Sequence, residues 1–175
     1  CGLVWGEATA VRADGRANPN QLVVTDETVA DLADLRELLA PGQVVGLQLT
    51  HSGRWSRPDG TPAPRTAYAH PILDTRADAS AASVLGDDEL DELVVAFVEA
   101  AARARDAGFD FVDIKHCHGY LLHELLTAYD RPGRYGGDLT GRTAFLRAVV
   151  AGIRARVPDL AIAVRLSTFD LVPYT

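Results

Sequence analysis

Residues 110–121 read DFVDIKHCHGYL. The first half alternates: Val112 and Ile114 make an apolar face, and Phe111, Asp113 and Lys115 make the other, the period-two pattern of a strand between two unlike environments. The second half breaks into Lys, His, Cys, His and Tyr. Two further stretches repeat the alternation. In VVGLQL (44–49) and the residue after it, Val45, Leu47 and Leu49 oppose Gly46, Gln48 and Thr50, and in AIAVRL (161–166) Ile162, Val164 and Leu166 oppose Ala161, Ala163 and Arg165. Each strand therefore delivers one polar side chain near its carboxyl end: Gln48, Lys115 and Arg165.

Helical patterns fill the intervals. Residues 86–108 open with acidic residues, carry an apolar stripe at Leu90, Val94, Phe97 and Val98, and close at Gly108. An earlier helix is expected after a cap at Thr25 or Asp26, with Val29, Leu32, Leu35, Leu38 and Leu39 at helical spacing and Pro41-Gly42 as its stop. LLHELLTAY (121–129) reads as a short helix, DRPGRYGGD (130–138) as a Gly-rich loop, and roughly 140–157 as a further helix. CGLVWGEATAV (1–11) is a candidate strand, and the Pro-rich residues 54–71 form a long loop of the kind often given to function.

Strands separated by helices imply right-handed crossovers and a parallel sheet. An apolar face toward outer helices, opposed by a face that ends in functional groups, favours the (β/α)8 TIM barrel over a doubly wound sheet and puts the site on the carboxyl rim. Eight such units take about 250 residues. Four strands in 175 residues predict a partial barrel over 1–175, about four of the eight units, with its C-terminal half absent. The chain starts inside an apolar strand without an initiator Met and stops at FDLVPYT just past another, as a piece of a longer protein would.

Composition narrows the function classes. At 47% hydrophobic and 23% charged the chain reads as one globular unit, and a net charge of -7 argues against binding nucleic acid, which demands excess Lys and Arg. No run of 18 apolar residues and no basic-then-apolar leader is present, so no membrane partner is expected and the default location is cytoplasmic. Cys1 and Cys117, far apart and outside any C-x-x-C pair, suit a reduced compartment.

Three readings of KHCHGY compete. In the first, Asp113 and Lys115, two apart on one face, form a buried ion pair and the histidines are merely hydrogen-bonded. In the second, His116, His118 and His123 bind a metal, although no Asp or Glu completes the set and Lys115 repels a cation. In the third, Lys and His donate to a developing oxyanion and Tyr supplies a proton.

Five motifs, in order, carry a family resemblance: GLVWGEATAV, QLTHSGR, FVDIKHCHGYLLHELL, YGGDLTGRTAFL and AVRLS. Together they resemble the old yellow enzyme family, the FMN-dependent ene-reductases and NADH:flavin oxidoreductases built on a (β/α)8 barrel, over essentially the whole chain. The resemblance implies FMN as cofactor and NAD(P)H as reductant. It implies cofactor-binding roles for Ala8, whose small side chain lets the ring approach, for Gln48 on the flavin pyrimidine edge, and for Arg165 beside flavin N1, with a barrel ion pair to Asp113 as the plainer role for Arg165. It implies that His118 grips the substrate oxygen and that Tyr120 protonates the carbon α to the carbonyl. Lys115 stands where the family usually has His, a flexible full charge in place of a planar neutral ring. Three consequences are open: stronger polarisation of an enone, preference for a carboxylate-bearing substrate, or a turn toward Asp113. YGGDLTGR departs further, with Asp138, Thr140 and Gly141 where Ser, Glu and Asn are more usual, while Arg142 is kept.

The implied reaction is ping-pong: NAD(P)H reduces FMN, and flavin N5 passes hydride to the β-carbon of an activated alkene such as an α,β-unsaturated carbonyl. Catalytic roles then fall on Lys115, His118 and Tyr120, with a small-molecule substrate and no metal. The loops after the last two barrel strands, which usually hold a cofactor phosphate, are absent, so weak flavin binding and self-association into a homo-oligomer at an open sheet edge are expected of the chain alone. A metal-dependent barrel hydrolase or lyase, and a non-catalytic half-barrel assembly module, are the alternatives.

Overall fold

The computed structural model describes residues 2–39 and 41–168. Cys1 and the FDLVPYT segment from 169 onward lie outside the described residues. Four parallel strands, β1 (Leu3–Ala10), β2 (Val44–Thr50), β3 (Phe111–His116) and β4 (Ala161–Leu166), lie side by side in chain order. Sequential parallel strands with helical crossovers are the repeating unit of a (β/α)8 barrel.

The helices are α1 (Val29–Glu37), α2 (Pro71–Ala77), α3 (Asp87–Asp106), α4 (Leu121–Leu126), α5 (Leu139–Arg142) and α6 (Ala144–Arg156). None among the described residues is long and apolar enough to cross a membrane. α3 holds because Asp87, Asp88 and Glu89 face its positive amino end and the Glu89 carboxylate accepts from Gly86 N–H at 2.8 Å. Its apolar stripe, Leu90, Leu93 and Phe97, is buried against Phe145, Val149 and Ile153 of α6 and Val45, Leu47, Leu49, Val112 and Ile114 of the sheet. Phe97 and Phe145 meet edge to face at 5.9 Å, each fully buried and each contributing about 2–3 kcal/mol through burial. Gly152 permits the close approach of α6 to α3, since a Cβ there would stand 2.5 Å from Val98.

Three details depart from the sequence expectation. Residues 54–71 lead into a helix, α2, with Pro71 in its first turn and the His70 ring accepting from Leu73 N–H at 3.3 Å; the Pro-rich approach masks it. The helix expected over 140–157 is two, broken at Thr143, the four-residue α5 being capped by Asp138, which accepts from Gly141 N–H at 2.8 Å. Asp and Ser serve equally as caps, which makes the Asp138 departure structurally silent. On β4, Val164 and Leu166 are exposed by 38% and 50%, so only Ile162 of the expected apolar face packs on the core. β4 is an edge, with no strand beyond it among the described residues.

Candidate active site

The face of the sheet turned away from the helices is organised in rows. Trp5, Gly46, Phe111 and Ala161 are register partners; next come Ala8, Gln48, Asp113 and Ala163; beyond them Ala10 pairs with Thr50, and Lys115 with Arg165. Ala8 reaches its row through a bulge, three residues of β1 from Trp5 to Ala8 spanning two of β2 from Gly46 to Gln48. Strict alternation from Trp5 would have turned Ala8 to the helix side.

The first row is an aromatic floor. The Phe111 ring lies over Gly46, where a Cβ would come within 2.0 Å of it, and Trp5 meets Phe111 edge to face at 4.8 Å. Asp113 Oδ2 accepts from Trp5 Nε1 at 2.8 Å and from Gln48 Nε2 at 2.5 Å, whereas its buried Oδ1 has no hydrogen-bond partner. Asp113 forms no ion pair with Lys115 or with Arg165: the carboxylate is instead held by two neutral N–H groups. That overturns the ion-pair reading of KHCHGY. One amide hydrogen of Gln48 is committed to Asp113, which leaves the other and Oε1 to face the row.

At the carboxyl end of β3, Lys115 is only 7% exposed and makes no hydrogen bond or ion pair among the described residues; its ammonium rests 3.9 Å from the centre of the Tyr120 ring. Burial above all, with Arg165 adding, pulls the Lys115 pKa below the usual lysine value. His118 and Gly119 are consecutive left-handed residues, φ 63° and 68°, and turn the chain sharply so that Tyr120 caps α4. The turn leaves the His118 ring exposed on the same rim, its pKa lowered by burial and then by the fields of Lys115 and Arg165.

His116 points the other way, as strand alternation requires. It is fully buried, neither ring nitrogen has a hydrogen-bond partner, and burial pushes its pKa down to about 4. His123 is buried with Nδ1 accepting from Gly119 N–H at 2.8 Å. The three histidines thus diverge, and among the described residues no group of three or more His, Cys, Asp or Glu is placed to hold a metal ion. Cys117 is a buried free thiol whose pKa burial raises.

Sequence reasoning missed the support beneath this rim. Arg54, 1% exposed, pairs with the carboxylates of Glu124 on α4 and Asp74 on α2, and donates to Tyr68 O at 2.8 Å. The second Glu124 oxygen accepts from Ala67 N–H at 3.1 Å, and burial still pushes the Glu124 pKa up to about 7. Both residues stand in quoted motifs, but no spacing rule joins positions 70 apart. Arg142 bonds Gly137 O and Leu126 O and stacks on Tyr129 at 3.9 Å, a structural role.

The model of the NADH:flavin oxidoreductase / NADH oxidase family matches residues 1–174. The chain belongs to this family. Among the relatives of this chain are the NADPH dehydrogenases of Bacillus subtilis (strain 168), 35% identical over 174 residues, and of Geobacillus sp. (strain WCH70), 36% identical over 176. The alignments take in 97% and 98% of this chain but 49% and 50% of the relatives, so the chain spans about half their length. Among solved structures, histamine dehydrogenase from Rhizobium sp. 4-9 superposes with a TM-score of 0.82 at 27% identity, over 96% of this chain and 26% of that one. 2-Naphthoyl-CoA reductase, at a TM-score of 0.86 and 23% identity over 97% of this chain and 28% of that one, shares the fold.

The family's cofactor is FMN, with NAD(P)H as reductant. The residues on the row fit such a group. Ala8 and Ala163 leave room over the sheet, Gln48 offers both a donor and an acceptor, Thr50 Oγ1 and Asp113 Oδ1 are buried without hydrogen-bond partners, and Arg165 is a cation at the edge.

Proposed function

We propose that this flavin oxidoreductase reduces an activated alkene, such as an α,β-unsaturated carbonyl compound, with Lys115, His118 and Tyr120 on the substrate side and Ala8, Gln48 and Arg165 on the flavin side. The observation that carries the reading is the rim of β3, which gathers two cationic or imidazole donors and a phenol beside the flavin-compatible row. When bound, FMN supplies the hydride. Lys115 and His118 hold the carbonyl oxygen, where negative charge accumulates, and donors preorganised in a closed site are worth several kcal/mol there. Tyr120, its ring fixed under the Lys115 ammonium, gives its hydroxyl proton to the carbon α to the carbonyl. Arg165 sets a fixed positive charge where the reduced ring system becomes anionic.

In the full-length protein, Tyr120→Phe is expected to slow reoxidation by the alkene about 10²-fold or more, while reduction by NAD(P)H proceeds at the original rate. Equal loss in both half-reactions would remove Tyr120 as the proton donor. An absorbance spectrum that bleaches with NAD(P)H under anaerobic conditions checks the cofactor itself.

A further inference from the structure

Lys115 is a largely buried lysine, 7% exposed, whose ammonium has no anion paired with it among the described residues. It makes no hydrogen bond or ion pair among the described residues; Asp113, the acid on its face, gives Oδ2 to Trp5 and Gln48 and pairs with Lys115 through neither oxygen. Its register partner Arg165 is a second cation, exposed and likewise without an ion pair among the described residues, and His118 stands on the same rim. Partial removal of a positive charge from water is costly unless an anion accompanies it. The stack on Tyr120 supplies only part of that compensation.

We propose that the substrate's activating group is a carboxylate, held by Lys115 and His118. This rests on the alkene-reducing reading above and names the substrate class within it. A carboxylate is a weak activator because it already carries negative charge. Hydride added to the β-carbon of an enoate moves the alkene π pair toward the carboxyl carbon, forming an enediolate with a second negative charge on the oxygens. A neutral imidazole pair compensates that poorly; a full ammonium beside an imidazole compensates it well. The proton from Tyr120 then goes to the α-carbon, returning a saturated carboxylate and leaving a tyrosinate that solvent reprotonates. Both electrons come from NAD(P)H, so the alkene is reduced as the nicotinamide is oxidised.

The test uses the full-length, FMN-loaded protein and reads binding from the flavin difference spectrum. 3-Phenylpropanoate is expected to bind about tenfold or more tightly than 3-phenylpropanamide, Lys115→Met to bring the two within about twofold of each other, and Lys115→Arg to keep the preference. Equal affinity in the unaltered protein, or a preference that survives Lys115→Met, overturns the inference. Reoxidation of the reduced protein is measured alongside with cinnamate and cinnamaldehyde. Turnover of cinnamaldehyde without carboxylate preference sinks the inference and leaves the alkene-reducing reading intact. Failure of both compounds to reoxidise the flavin overturns the two together.

Discussion

Fully buried and with neither ring nitrogen hydrogen-bonded, His116 gives the fold a specific acid sensitivity. Its folded pKa, about 4, lies below the ordinary 6.5, so the unfolded chain binds a proton first as pH falls. Above pH 6.5 both states are neutral there and nothing is lost; between 6.5 and about 4 stability declines, by on the order of 3 kcal/mol in all. His116→Phe is expected to remove that part of the decline, read as the difference in urea midpoints between pH 7 and pH 4.5. Identical declines in both proteins would place the acid sensitivity elsewhere. At this scale the sequence was a good guide to direction and a poor one to contact. Alternation along DFVDIKH correctly separates Lys115 from His116, because a strand leaves no choice of face. It says nothing of Lys115 lying on the Tyr120 ring, which follows from the left-handed pair at His118 and Gly119.

Arg54 ties together three segments distant in sequence: the turn after β2, α2 through Asp74, and α4 through Glu124. Removing the guanidinium strands two carboxylates, one of them 4% exposed. Arg54→Met is expected to cost about 3–5 kcal/mol, measured by denaturant unfolding, and the double change Arg54→Met, Glu124→Leu to recover most of it. A double variant as unstable as the single one would mean that the ion network is not what holds the turn. α3, β3 and β4 were legible because their periodicity is long or strict. α2 was not, since its seven residues follow a Pro-rich run, and neither was the break at Thr143, where a short capped turn meets a helix in continuous helical pattern. The β1 bulge also left no trace in composition, though the placement of Ala8 depends on it.

In the whole molecule, β1 and β4 are both edges of the described sheet. Leu3, Trp5, Val164 and Leu166 are exposed by 48%, 50%, 38% and 50% along them. Unpaired parallel edges with apolar flanks recruit partners. Purified alone, these 175 residues are expected to elute as a dimer or larger species that shifts on dilution. A monomer with a single cooperative unfolding transition would show that the edges are self-sufficient. The barrel architecture was legible because each strand of this parallel set repeats the same two-faced logic, and the rim because polar residues recur at the same strand end. The proposed division of labour has one more consequence. The residues proposed for the flavin are spread over β1, β2 and β4, whereas those proposed for the substrate lie within the six positions from Lys115 to Tyr120. One short degenerate oligonucleotide across those codons would sample substrate preference as a library, while every member inherits the same proposed flavin cradle.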